Sequence, residues 1–499
     1  MKIVDASGIR AAEAAATADG TPEFVLMKRA GAAAADLISA WMRLYAFSRI
    51  VFLCGGGNNA GDALVAATML HGKFPMSLWL YRPLNAFRGA AASAAAELPE
   101  ELKRSASADG SAPELAPGDL IVDGMLGIGL SGEVRPDLAA VIARVNASRL
   151  PVIALDVPSG MDSDTGVGRC PVGEALHAAC TITFGLPKRG LFTVDGTRFS
   201  GRLVVARIGL ENGADTSECE EAYTEYEAFD DLPRFAADTH KNRRGQLLVM
   251  AGSRRYPGAA ALTTLAALRG GAGLVRSFIP SGASIRLAAA AIPAKLAATE
   301  EGGFAAAPDW GEFPVAAALA AGPGWGGDVP LQVLKLVLEF PGRLLLDADA
   351  LNLLARHPGA WRHRDGVVLT PHPGEAERLR RAFDIPEAKT RGEAAAALAT
   401  RLGATVVLKG ARSVITDGTG KLFFNISGSP DLATAGSGDV LAGLIGAFLA
   451  NGMAPTAAAK LGVFIHGRAG ERRGCGCIAD DLPAEISAVM DDLKNGVFF

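Results

Sequence analysis

At 499 residues the chain is too long for a single hydrophobic core, so two or three domains are expected. Hydrophobic content of 49%, charged content of 20% and a net charge of −4, with Gly and Ala abundant and basic residues dispersed, point to tightly packed α/β units and argue against nucleic-acid binding. Met1 to Glu13 lack the charged-then-apolar order of a signal peptide, and no run reaches the roughly 18 apolar residues of a membrane span, so a cytoplasmic protein without a membrane partner is expected. The six cysteines, at 54, 170, 180, 219, 475 and 477, form no disulfide framework. Cys475-Gly476-Cys477 has the look of a metal or redox pair, but no second Cys or His pair stands at zinc-like spacing, and a structural reading is preferred.

Short β-branched or apolar runs alternate with longer Ala/Leu-rich segments along most of the chain, the pattern of parallel sheets covered by helices. The pattern lapses between Glu211 and Pro233, which hold nine acidic residues and no Lys or Arg. The expected division is therefore a first domain over 1–215, an acidic linker over 216–237 and a second domain over 238–499.

In the first domain, residues 49–53 (RIVFL) read as a buried strand, residues 54–62 as a glycine-rich loop and residues 63–71 as a helix. Such a loop at the carboxyl end of a parallel strand is where these folds bind ligands. It is neither a GxGxxG nor a Walker loop, and Asn58, Asn59 and Asp62 offer amide and carboxylate groups suited to polyhydroxylated or phosphorylated ligands or to a monovalent cation. Two further strands end on aspartate: residues 120–123 run into the loop 124–133, and residues 151–156 into 157–160. An aspartate closing an apolar strand is expected to meet a ligand, because an unpartnered buried charge is costly.

These motifs, recurring in order over residues 49–192, resemble the epimerase domain of the NAD(P)H-hydrate repair enzymes, whose marks are a G-x-G-N-N-G-G-D loop, an aspartate strand end followed by a G-x-G loop, and D-I/V-P-S-G. The resemblance implies a Rossmann-like three-layer sandwich. It implies potassium held by Asn59, Asp123 and Ser159, and substrate held by Asn58, Asn59, Ala60, Gly61, Asp62 and the loop Gly127, Ile128, Gly129, Leu130, Ser131, Gly132, Glu133. Asp156 would be the acid/base group. Hydrated NADH or NADPH carries a hydroxyl on a carbon bonded to the ring nitrogen, so the nitrogen lone pair can expel it or open the ring, and one carboxylate that shuttles a proton assists. The sequence departs from the pattern at Gly56, where Pro is usual, and at Ala60 and Ala63, where Gly is common. Added methyls at close-approach positions are expected to narrow the pocket.

The second domain opens with a strand at 246–250 and a small-residue loop, Ala251 to Ala260, that enters a helix. Strand ends follow at Gly322-Pro323-Gly324, at Asp347-Ala348-Asp349, at Thr370-Pro371-His372-Pro373-Gly374-Glu375 and at Lys409-Gly410-Ala411-Arg412-Ser413. Last comes Gly436-Ser437-Gly438-Asp439 before an apolar helix at 440–450. Three small residues at a helix start expose amides to an anion, and a carboxylate on the first turn can take a proton from a hydroxyl beside it. His372, stiffened by flanking prolines on this rim, is a plausible ligand contact, and Lys409 suits a nucleotide phosphate.

Residues 238–490 resemble the ADP-dependent NAD(P)H-hydrate dehydratase domain, a ribokinase-like α/β fold, through H-K-x-x-x-G, G-S-x-x-x-x-G-A, G-P-G, D-A-D-A-L-N, P-H-P-G-E, K-G-A-x-S/T and G-S-G-D. The resemblance implies substrate contact from Ala259, Gly322, His372 and Asp439, and nucleotide contact from Lys409, Gly410, Ala411, Arg412, Ser413 and Gly438. It also implies ADP with Mg²⁺, and phosphorylation of the hydrate hydroxyl by way of Asp439 followed by loss of phosphate. Asn242, Ser429, Asp431 and Ala435 depart from the family pattern, Asp431 placing a carboxylate near nucleotide phosphates. The whole chain thus reads as a bifunctional enzyme acting on NADHX and NADPHX, expected to be a homo-oligomer. A kinase of a small alcohol built on the same scaffold, or a catalytically silent first domain, are the competing readings.

Overall fold

The computed structural model describes residues 1–108, 111–211 and 219–497, which form two compact units divided between Ala222 and Tyr223. Both are α/β. No helix among the described residues is long and apolar enough to cross a membrane.

The first unit is built on six strands: β1 (Arg49–Cys54), β2 (Met76–Leu80), β3 (Asp119–Gly124), β4 (Val152–Leu155), β5 (Cys180–Phe184) and β6 (Arg202–Ala206). They lie in the order β2-β1-β3-β4-β5-β6, and every pair is parallel. Alternation sends Phe52, Val122 and Ile153 to one face, packed with apolar residues of helices Glu23–Tyr45 and Asn58–Leu70. Val51, Leu53 and Ile121 go to the other, packed with Leu138 and Ile142 of helix Pro136–Ser148. Burial on both faces explains why these strands read as unbroken apolar runs, and it makes the three-layer sandwich. The helix after β1 begins at Asn58 rather than Ala63, so Asn58, Asn59 and Asp62 stand on its first turns and not in a loop.

In the second unit the strands lie in the order Ile292–Leu296, Leu274–Pro280, Gln246–Met250, Ala316–Ala321, Arg343–Leu346, Val367–Leu369, Thr405–Leu408, Val414–Thr416 and Leu422–Asn425. Pairing is parallel as far as Thr405–Leu408 and antiparallel beyond it. Helix Ser437–Ala450 is buried along nearly its whole length, which is why it is apolar all round. It crosses helix Pro257–Arg269 at Gly443, where an added methyl would come within 2.1 Å of the Thr263 carbonyl oxygen.

Of the acidic segment expected as a linker, residues 216–218 lie outside the described residues. The rest carries a strand, Glu220–Tyr223, and a helix, Glu225–Asp231, which starts in a capping box: the Thr224 hydroxyl accepts from the backbone of the first turn and the Glu227 carboxylate accepts from the Thr224 amide at 2.9 Å. Acidic composition here serves a helix start, where negative charge is favourable, rather than an unfolded spacer.

The helix crossing sets the first prediction. Gly443→Ala should destabilise the second unit by about 2 kcal/mol, because backbone rather than a flexible side chain must give way. A urea midpoint unchanged from wild type would contradict it.

Candidate active sites

The carboxyl ends of β1, β3 and β4 converge on a cavity of about 900 Å³ in the first unit. Gly55 lets β1 meet β3 closely: a methyl there would lie 1.9 Å from the Met125 carbonyl oxygen. Asp123, fully buried, accepts from the Ser159 hydroxyl at 2.6 Å, the Ser159 amide at 2.8 Å and the Met125 amide at 3.1 Å, tying the loop after β3 to the loop after β4. Burial still lifts its carboxyl to about 6, against the pull of those Ser159 bonds. Asn59 donates to the carbonyls of Leu126 at 2.8 Å and Leu155 at 3.0 Å. Its Oδ1 is buried and has no hydrogen-bond partner. Asn59 and the Ser159 hydroxyl share the Leu126 carbonyl, and Ser159 bonds Asp123, so an amide oxygen without a donor, a hydroxyl and a carboxylate are grouped here, donors of the kind that could hold a hard cation.

Asp156 adopts a left-handed backbone, φ 64°, which turns its carboxylate back to the cavity. There it is clamped by Lys188, whose buried ammonium also donates to the Phe184 carbonyl at 2.9 Å and the Thr183 hydroxyl at 3.3 Å. Asn58, Asn59, Asp62, Gly127, Ile128, Gly129, Leu130, Ser131 and Glu133 line the same space, and Gly132, at φ 77°, turns the chain between the last two. Ala60 and Gly61 do not line it. Ala60 is fully buried in the core and Gly61 lies against Met27 and Ala91. Ala63 is equally buried, its methyl facing Gly124, so the two methyls expected to narrow the pocket fill the helix–sheet contact instead. Lys188 and Glu13, both in the cavity wall, carry no mark in the sequence: Lys188 follows β5 outside the loops with ligand-binding motifs, and Glu13 sits in an Ala-rich helix remote in the chain.

In the second unit the strand ends gather around Asp347. A methyl on Gly322, φ 118°, would meet the Asp347 carbonyl oxygen at 1.9 Å. One on Gly324 would meet the Ala259 methyl at 2.6 Å, which seats Ala259 and Gly322 on one rim. The Asp347 carboxylate accepts from Lys409 at 2.7 Å and from the Thr370 hydroxyl at 2.8 Å. Glu375 lies 3.9 Å from the same ammonium. Burial opposes the charge on Lys409, but Asp347 and Glu375 outweigh it and hold the lysine above its ordinary value. His372 caps helix Pro373–Ala382: its Nδ1 accepts from the Gly374 amide at 3.0 Å, and its Nε2 is 3.4 Å from Glu375. Burial and the nearby Lys409 lower its affinity for a proton.

Helix Ser437–Ala450 begins at Gly436, φ 88°, a conformation reserved for glycine, with Asp439 on its first turn. Gly438 carries no side chain where one would approach Lys409 Nζ at 3.5 Å. Burial first, and Asp347 second, raise the Asp439 carboxyl to about 7. Beneath it the buried His466 bonds the Ser437 hydroxyl at 3.1 Å and carbonyl at 3.0 Å, its proton affinity lowered by burial to about 4. His466 lies in mid-helix, where sequence gives no sign of its role.

The segment from Lys409 to Ser413 is a tight turn in which the Gly410 amide and Ser413 hydroxyl bond at 3.3 Å. Arg391 closes its underside by donating to the carbonyls of Leu408, Lys409 and Ala411. Arg412, expected at the nucleotide, points inward and donates to the Ile426 carbonyl at 2.6 Å. The turn presents Gly410 and Ala411 to solvent, while Arg412 and Ser413 are buried.

The raised carboxyl at Asp439 makes stability depend on pH. The folded state keeps a proton that the unfolded chain releases near 4, so between pH 4 and 7 the group's contribution falls as pH rises. Asp439→Asn should therefore gain stability relative to wild type across that window, read as urea midpoints at pH 4.5 and 7.5; equal differences at the two pH values would contradict the raised carboxyl.

Residues 23–190 match a family model described as YjeF-related protein N-terminus, and residues 247–487 one described as NAD(P)H-hydrate dehydratase. Among solved structures, an ADP/ATP-dependent NAD(P)H-hydrate dehydratase from Bacillus subtilis, co-crystallised with ATP/Mg²⁺, is 28% identical with a TM-score of 0.45, over 55% of this chain and 98% of that one. Among curated relatives, the bifunctional NAD(P)H-hydrate repair enzyme Nnr of Gloeobacter violaceus is 38% identical over 94% of this chain and 93% of its own. That of Coxiella burnetii is 36% identical over 97% and 98%. Two α/β units with their motifs in the same order, matched end to end at this identity, leave one conclusion: the chain belongs to the family of bifunctional NAD(P)H-hydrate repair enzymes.

Proposed function

We propose that the first unit interconverts the R and S forms of NADHX and NADPHX, and that the second dehydrates the S form to NADH or NADPH at the expense of ADP. The observation that carries this reading is Asp439, a carboxyl poised at about 7 on the first turn of a helix whose leading residues are glycine, serine and glycine. A base with an affinity near working pH, beside amides suited to a phosphoryl group, fits transfer to a substrate hydroxyl. In this reading Asp439 takes the hydroxyl proton of the hydrate, and the amides of Gly436, Ser437 and Gly438 face the charge that develops on the phosphoryl group. Loss of phosphate then restores the dihydropyridine ring. Ala259, Gly322 and His372 hold the substrate, and the backbone of Gly410, Ala411, Arg412 and Ser413, with Lys409 and Gly438, borders the nucleotide. Mg²⁺ supplies neutralisation of the nucleotide phosphates.

In the first unit Asp156 is the acid/base group. The unpartnered Oδ1 of Asn59, with Asp123 and the Ser159 hydroxyl, supports a potassium site. Potassium supplies fixed positive charge beside the substrate loop. Leu44 and Tyr45, exposed at the end of helix Glu23–Tyr45, support assembly into a homo-oligomer.

Recovery of dihydronicotinamide absorbance from mixed NADHX epimers, with ADP and Mg²⁺, tests the assignment. Asp439→Asn should slow all recovery by about 10³-fold. Asp156→Asn should leave a fast phase for the S share and slow only the remainder. Wild-type rates should climb with pH and level off above about 7, as the Asp439 carboxylate becomes available. Phosphorylation of a small alcohol without any recovery would decide for a kinase. Potassium should raise the thermal midpoint of the wild type by more than that of Asn59→Ala, measured by scanning fluorimetry; equal shifts would remove Asn59 from the cation site.

A further inference from the structure

The turn from Lys409 to Ser413 is held from behind by a side chain that no motif marks. Arg391 donates to the carbonyls of Leu408 and Lys409, each at 3.2 Å, and to that of Ala411. Its guanidinium also lies against the backbone of Gly410: a methyl there would stand 2.7 Å from Nη2 and 3.2 Å from Cζ. The arginine behind the turn thus requires this glycine before any ligand is considered.

Nothing in helix Arg391–Leu402 asks for an arginine at its first position. The helix start is completed by its neighbours: the Thr390 hydroxyl accepts from the Glu393 amide at 3.1 Å, and the Glu393 carboxylate accepts from the amides of Lys389 at 2.8 Å and Thr390 at 3.3 Å. A cation on the first turn opposes the helix dipole. Burial lowers the proton affinity of Arg391, and no carboxylate offsets it. Its charge is met instead by the three carbonyl oxygens of the turn.

A trans peptide sets its N–H opposite its C=O. Gathering the carbonyls of Leu408, Lys409 and Ala411 on Arg391 therefore turns the amides of Lys409, Gly410 and Arg412 away from it. The Lys409 amide shows what lies on that side, since it reaches the Pro371 carbonyl at 2.9 Å, next to His372. Gly410, φ 145°, and Arg412, φ 52°, hold conformations that persist where the surroundings fix them. A planar guanidinium carries enough donors, in a rigid fork, to hold three carbonyls at once, whereas an ammonium acts as a point charge.

We infer that Arg391 is a positioning residue of the nucleotide site, fixing the turn in the shape that sets its amides toward ADP while touching neither ADP nor the hydrate itself. This rests on the nucleotide reading above. Affinity for ADP is then set in part from the far side of the turn, by a residue that makes no contact with the ligand.

The test compares wild type, Arg391→Lys and Arg391→Ala as intact chains. Binding of ADP with Mg²⁺ is titrated by calorimetry, and recovery from NADHX is then followed with each substrate varied in turn. Both variants should bind ADP at least about tenfold more weakly. In turnover KM for ADP should rise by a similar factor, while KM for NADHX and kcat at saturating ADP stay within about threefold of wild type. General loosening of the unit does not produce that split. ADP affinity within tenfold of wild type in either variant, or KM values for ADP and NADHX that rise together, overturns the inference alone. A wild type that binds no ADP overturns the nucleotide reading and this inference with it. Arg391→Lys keeps the charge and a long stem, so a folded variant remains if Arg391→Ala loses its structure.

Discussion

In each unit a lysine is set against the aspartate that follows a parallel strand: Lys188, buried, on Asp156 after β4, and Lys409, half-buried, on Asp347 after strand Arg343–Leu346. Removing one member of such a buried pair strands the other, at about 3–5 kcal/mol, so the strand-end loops are held wherever the pair requires. Around each pair stands a further carboxyl without a counter-charge of its own, Asp62 in the first unit and Asp439 in the second. Burial outweighs the pull of the lysine on that extra acid and raises its carboxyl, well above the ordinary range in Asp62 and to about 7 in Asp439. Two unrelated sheets thus arrive at the same device, a fixed carboxylate beside a reluctant one.

The small residues surrounding these groups follow from the same crowding. Gly55, Gly322 and Gly443 each stand where a methyl would come within about 2 Å of a backbone carbonyl, so their identity is set by neighbouring chain segments and not by ligand. Gly436 and Gly438 differ: one needs a positive φ and the other leaves room beside Lys409, conditions that concern the anion end of the helix.

What the sequence makes legible is the strand-end geometry. Apolar runs ending in Asp123 and Asp156, and a small-residue turn before Asp439, declare themselves because period and composition change abruptly there. Partners supplied from elsewhere in the chain leave no such mark. Lys188 looks like any loop lysine until β5 brings it beneath Asp156, and His466 is one of several polar residues along helix Pro455–Arg473, with no motif to set it apart. Motif position does not disclose side-chain direction. Arg412 sits in a segment that resembles a nucleotide loop, yet its guanidinium serves a buried carbonyl, and Ala60 lies within the Asn-Asn motif but faces the core. The acidic run past Glu211 reads as a spacer because charge density dominates its composition, although Thr224 and Glu227 start a helix there.

That short helix, Glu225–Asp231, does more than cap itself. Its first residue, Glu225, is buried against Arg468, which is also held by Glu471, while Glu471 in turn receives the Gly428 amide at 2.7 Å. A guanidinium enclosed by two carboxylates is electrically a single object, and the acidic segment contributes one of its walls. Were the two activities ever carried on separate polypeptides, the natural point of division would lie upstream of Thr224, the dehydratase inheriting the acidic stretch as an integral part of its own charge balance.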